Sequence, residues 1–88
     1  MSVTYERAKE IIYEDRSYLD DDGEALGIAF LYNIMKNHNI EDRYICAEHD
    51  QIWYGDFKKT IAVMNETDVA QMSKWGWFEA EDSWTTFV

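Results

Sequence analysis

Apolar side chains recur at Tyr5, Ala8, Ile12 and Leu19, with Ile11 and Tyr18 alongside. This spacing predicts an amphipathic helix from about Thr4 to Leu19. Ser2 or Thr4 suits its N-cap, and Glu6 suits the positive end of the helix dipole. A second helix is expected to start at the aspartates, because Asp21 and Glu24 have the three-residue spacing of a capping box. It continues through Ala25 to Met35, which is apolar on nearly every side. Such a helix is expected to be central and covered from more than one direction. A buried strand over Ile28 to Tyr32 competes, but the length of the run favours a helix, and Lys36 and His38 suit its C-terminal end.

After Asn37-His38-Asn39 the texture changes. Arg43 to Glu48 and Gln51 to Tyr54 are short, aromatic and β-branched, and they read as strands. Glu48-His49-Asp50 would be the turn between them, although it lacks the Asn-Gly pair of tight hairpins; one longer bulged strand is the alternative. Thr60 to Met64 reads as a further strand. Asn65 is a good N-cap with Asp68 three residues on, so a short helix should follow through Val69, Met72 and Trp75, with Gly76 at its C-cap. Trp77 to Ala80 and Ser83 to Val88 read as a hairpin around Glu81-Asp82. The expected fold is α+β: two N-terminal helices and one short helix packed on a mostly antiparallel sheet of four to five short strands. No proline, linker or repeat interrupts the chain, so its 88 residues are expected to form a single domain.

Charge adds what periodicity does not show. Eighteen acids against eight bases give a net charge of −10. Up to Tyr44 there are ten acids and five bases, and beyond it eight and three, so the excess is spread over both halves. This field repels nucleic acid and anionic membranes and favours basic partners. The 47% hydrophobic and 16% aromatic content argues for a folded core rather than a disordered acidic tail. A single cysteine excludes an internal disulfide and suits a reducing compartment. The first residues show no basic and apolar signal regions, and the apolar run from Ala25 to Tyr32 is too short to span a bilayer. A soluble, cytoplasmic protein is expected.

Catalytic chemistry is poorly supplied. Cys46 and His49 are the only nucleophile–base pair close in sequence, and three residues apart on a strand they would face opposite ways. A buried strand cysteine beside an exposed histidine is the expectation. A metal shell from Cys46, Glu48, His49 and Asp50 is crowded into one short run and lacks the spaced pairs of zinc sites. Reading the aspartate run as a calcium loop puts Tyr18 and Ala29 where two decisive ligands belong. Neither catalytic residues nor a metal or other cofactor are expected. Among the aromatic residues near the C-terminus, Trp75, Trp77, Phe78, Trp84 and Phe87, most should be core. One or two tryptophans could instead anchor an interface.

One polar pattern is not asked for by stability. Glu6, Glu10 and Glu14 form a row of like charge at i,i+4, which is mildly destabilising on a helix. Asp20, Asp21, Asp22 and Glu24 follow. On a helix the row repeats every ~6 Å, a spacing comparable to that of phosphates along one nucleic-acid strand. Arg7 can pair with Glu10, and Lys9 with Glu6, at i,i+3. These seven acids are the candidate partner-binding residues. They would occupy arginine and lysine sites that normally hold phosphates.

The segments Ala47-Glu48-His49-Asp50-Gln51-Ile52-Trp53, Lys74-Trp75-Gly76-Trp77-Phe78-Glu79, Glu81-Asp82-Ser83-Trp84 and Phe87-Val88 resemble a pattern in small phage and prophage proteins. There an Ala-Glu-His-Asp strand precedes an acidic helix and a hairpin carrying Gly-Trp and Asp-Ser-Trp. The likeness spans Ala47 to Val88; the segment from Gly55 to Met64, with Lys58 and Lys59, departs from it. In size and charge the chain is also similar to anti-CRISPR proteins and other DNA mimics. The resemblance implies a phage origin and carries no catalytic residues. The expected function is therefore a non-enzymatic inhibitor that binds a host nucleic-acid-binding protein through a basic groove. The alternative is an adaptor module, or a homo-oligomer, working through the aromatic C-terminal hairpin.

Overall fold

The structure is a computed structural model that describes residues 3–14, 22–41 and 45–87. Helix α1 runs over Tyr5–Glu14 and α2 over Gly23–Asn37. Strands β1 (Ile45–Glu48) and β2 (Gln51–Asp56) follow, then α3 (Phe57–Ile61), α4 (Glu66–Lys74), β3 (Phe78–Ala80) and β4 (Ser83–Phe87). The four strands form one antiparallel sheet in the order β1-β2-β4-β3. The α+β class is as expected, with four helices among the described residues where three were expected.

The helix boundaries follow local chemistry. The Thr4 hydroxyl accepts from the Arg7 backbone N–H at 3.1 Å and caps α1. The expected continuation of α1 to Leu19 falls outside the described residues beyond Glu14. Asp21 of the proposed capping box is also outside them; Asp22 occupies the N-cap of α2, and its side chain makes no capping hydrogen bond. Asn39, at φ 56°, ends α2 by letting the Ile40 N–H return to the Met35 carbonyl at 2.8 Å. In α4 the expected capping box is complete: Asn65 and Asp68 exchange hydrogen bonds of 2.8 and 3.1 Å. Gly76, at φ 89°, closes the same helix, with the Gly76 and Trp77 amides bonded to the Ser73 and Met72 carbonyls.

Two expectations fail for identifiable reasons. Thr60 to Met64 is not a strand. Asp56 caps a new helix there by accepting from the Lys59 N–H at 2.8 Å, and the Thr60 hydroxyl donates to the Asp56 carbonyl at 2.7 Å. Phe57, Thr60 and Ile61 are buried at i, i+3 and i+4, so burial on a helical face overrides the β-branched composition. Helix α2 is not covered on several sides either. It fully buries one stripe, Gly23, Gly27, Leu31 and Met35, packs Ile28, Phe30 and Ile34 half-buried beside it, and leaves Leu26 and Tyr32 exposed. The two glycines allow the Trp75–Trp77 segment to approach the helix backbone so closely that one stripe suffices to dock it.

The core lies between the helices and one face of the sheet. It joins Ala8, Ile11 and Ile12 of α1 with Leu31, Met35, Tyr54, Phe57, Val69, Met72, Trp77 and Trp84. Trp84 packs against Phe57 with ring centroids 4.7 Å apart and planes tilted by 56°, and donates from Nε1 to the Thr60 hydroxyl at 2.8 Å. Strand register puts Tyr54, Ile52, Trp84, Thr86 and Glu79 on this covered face. The opposite face carries Cys46, Glu48, Gln51, Trp53, Phe78, Thr85 and Phe87.

Candidate functional site

On α1 the apolar positions Ala8, Ile11 and Ile12 turn inward, which leaves Glu6, Glu10 and Tyr13 on the exposed side. Of the two bases within the row, Arg7 pairs with Glu10 as its spacing suggested, and Lys9 does not pair with Glu6. Arg7 reaches across to α4 and meets Glu66 at 3.0 Å; its approach to Glu10 is only 3.9 Å. Lys9 pairs with Glu79 of β3 at 3.5 Å, not with Glu6. Both cations are thereby used to dock α1 onto its neighbours. Glu6 makes no ion pair among the described residues, and the Glu10 side chain is 65% exposed.

The two ionic clasps shift titrations. The Arg7 guanidinium, hydrogen-bonded to Glu66, holds that carboxyl below its ordinary range. Tyr5 raises the Lys9 ammonium above its usual value; desolvation opposes it, and the Glu79 carboxylate adds to the rise. Because the Glu66 pKa is lowered in the folded state, the contribution of its clasp is present above the ordinary carboxylate pKa. It is lost as pH falls through the depressed one. Arg7→Met should return the Glu66 carboxyl to the ordinary range, read as the midpoint of its carbon-13 chemical-shift titration. A midpoint that does not move would rule out the clasp.

The remaining acids of the candidate site divide. Asp22 is exposed at the N-cap of α2, and Glu24 is exposed in its first turn. Glu14 is the last residue of α1, with its side chain outside the described residues, and Asp20 and Asp21 lie outside them entirely. The two ends of the acidic segment are nevertheless brought to one place. The Ile12 carbonyl accepts from the Ser73 hydroxyl at 3.3 Å, and the Gly23 carbonyl accepts from Trp77 Nε1 at 2.9 Å. The C-terminal end of α1 and the N-terminal end of α2 therefore both rest on the end of α4 and the turn after it. Each acid-bearing end is anchored by a buried hydrogen bond.

The other candidates resolve differently. Cys46 is exposed rather than buried, because all four residues of β1 are exposed at the sheet edge. His49 sits in the following turn at φ 55° with its side chain 89% exposed. Among the described residues, no cluster of three or more His, Cys, Asp or Glu could hold a metal ion. No described helix is long and apolar enough to cross a membrane. Trp77 and Trp84 are core residues, so neither can be the interface anchor. The exposed ring is Phe87, at 63%, packed against Phe78 with centroids 5.4 Å apart. Sequence reasoning missed this aromatic face. The alternation of Trp53 with Gln51 and of Thr85 with Phe87 was available to reveal it, but only the strand order brings the two strands side by side.

No protein-family model, curated protein or solved structure matches this chain. In the structure the Ala47-Glu48-His49-Asp50 and Asp82-Ser83-Trp84 motifs build the β1–β2 turn and the β3–β4 hairpin.

Proposed function

We propose that this protein is a non-enzymatic inhibitor whose acidic α1–α2 face occupies a basic nucleic-acid-binding groove on a host protein, as anti-CRISPR and other DNA-mimic proteins of phages do. The observation that carries the reading is the diversion of Arg7 and Lys9 to Glu66 and Glu79. It leaves Glu6 and Glu10 directed outward on a helix that is itself firmly docked. An ordinary solvated helix face would gain from pairing its own i,i+3 and i,i+4 charges; here Lys9 is used elsewhere, and Arg7 is closer to Glu66, at 3.0 Å, than to Glu10, at 3.9 Å. Carboxylates carried on a docked helix can replace phosphates against arginine and lysine.

The test is affinity capture from a host lysate with the wild-type chain and with a Glu6→Gln, Glu10→Gln double variant. Both positions are exposed and glutamine is a good helix former, so the variant should fold normally. The wild type should retain a basic nucleic-acid-binding protein that added duplex DNA releases. The variant should bind it about tenfold more weakly. Equal binding by the variant, or a complex indifferent to DNA, would reject the proposal.

A further inference from the structure

The outer face of the sheet, away from α1, holds a second feature that the acidic helix face does not explain. At the tip of the β1–β2 hairpin a depression of about 280 Å³ is lined by Glu48, His49, Asp50, Gln51, Trp53 and Phe87. Its position follows from register. Glu48 pairs with Gln51, and Gln51 pairs with Phe87, so these three side chains lie side by side on one face. Trp53 is two residues further along the same face. The floor is therefore aromatic and the rim acidic. We propose that this depression binds the guanidinium group of an arginine side chain presented by a partner protein.

Three features select that chemistry. First, two aromatic rings offer π faces, and cations are attracted to the negative face of an indole or phenyl ring. Second, two carboxylates stand at the rim with little internal competition. The ion-pair partner of Glu48 is His49 at 4.0 Å, and Asp50 makes no ion pair among the described residues. Third, the chain carries a net charge of −10, which raises the local concentration of any cation near the site. Arginine fits better than lysine because its planar group can stack on a ring while donating in parallel to a carboxylate. The compact, strongly hydrated ammonium cannot do both. The rigidity of the floor comes from Thr85, which is fully buried, donates to the Ile52 carbonyl at 2.7 Å and accepts from Gln51 Nε2 at 2.9 Å.

The site does not depend on the acidic row, and its test separates the two. N-acetyl-arginine methylamide is titrated into the full chain labelled with nitrogen-15, and the amides of residues 48–53 and the indole N–H signals are followed. Saturable shifts confined to the hairpin tip are expected, with a dissociation constant on the order of millimolar for one exposed side chain. N-acetyl-lysine methylamide should bind several-fold more weakly. The exposed-site variant Asp50→Asn, Phe87→Ala should weaken arginine binding about tenfold, while Glu6→Gln, Glu10→Gln should leave it unchanged. A dispersed amide spectrum identical outside the tip shows that the Asp50, Phe87 variant is folded. Absence of saturable shifts, equal shifts with lysine, or full binding by the Asp50→Asn, Phe87→Ala variant would each overturn the proposal.

Discussion

Gly27→Ala should destabilise the chain by about 2–6 kcal/mol. A Cβ at position 27 would fall inside the van der Waals envelope of the Trp77 indole, at Nε1 and the ring carbons beside it. That indole is 1% exposed and cannot swing aside into solvent. It is also the donor that holds the Gly23 carbonyl at 2.9 Å. The added methyl must therefore push the ring or the helix, at a cost of roughly 1–3 kcal/mol for overpacking. Displacing the ring then leaves a buried donor and a buried acceptor unpaired, a further ~1–3 kcal/mol. A domain of this size has about 4–13 kcal/mol of stability in all. Urea unfolding followed by circular dichroism measures the loss. A change below about 1 kcal/mol would mean that α2 and the Trp75–Trp77 segment are not packed as described. The functional consequence is local, because Asp22 and Glu24 adjoin the anchored Gly23 carbonyl. A folded fraction of the variant should present these acids in a shifted position.

Trp84→Ala should cost a similar ~3–5 kcal/mol, the range for truncating a fully buried tryptophan. Trp84 lies in β4, beside the bulged end of β2, and meets α3 through Phe57 and Thr60. Its removal opens a cavity between the sheet and α3 and leaves a buried hydroxyl with one partner fewer. Trp84→Phe should cost less, because it keeps the ring contact with Phe57 and loses only the Nε1 hydrogen bond and part of the volume. The two variants measured together by urea unfolding should rank Ala well below Phe. Equal losses in the two variants, which both lack the indole N–H, would show that this donor, not the packed ring, is what holds α3 to the sheet.

Much of the fold could be read from the residues themselves. The capping pair Asn65 and Asp68, the stop at Gly76 and the turn at Glu81-Asp82 are local signals, and all appear where local chemistry puts them. Failures arose where tertiary contacts outweighed local preference. Thr60 and Ile61 are β-branched, yet they form helix α3 because Asp56 caps it and Trp84 needs the Thr60 hydroxyl. The apolar breadth of α2 suggested burial all round. Gly23 and Gly27 concentrate its packing into one stripe, and no local pattern announces which tryptophan will fill the space they leave.

The site was legible in part. The outward placement of Glu6 and Glu10 on α1 followed from spacing alone. So did the Arg7–Glu10 pair; the pairs of Arg7 with Glu66 and of Lys9 with Glu79 did not, since these acids are more than fifty residues away and become neighbours only through the fold. Cys46 was expected to be buried as cysteines commonly are. Its exposure follows from the edge position of β1, which depends on strand order rather than on composition.

The account stands on the outward carboxylates of α1 being a working surface. The most direct measurement is the affinity of the captured partner for the wild-type chain as sodium chloride is raised, repeated with Glu6→Gln, Glu10→Gln. Affinity should fall steadily with salt for the wild type, and the variant should show both weaker binding and a shallower slope. An affinity that stays constant across the salt range and is the same in both proteins would contradict it.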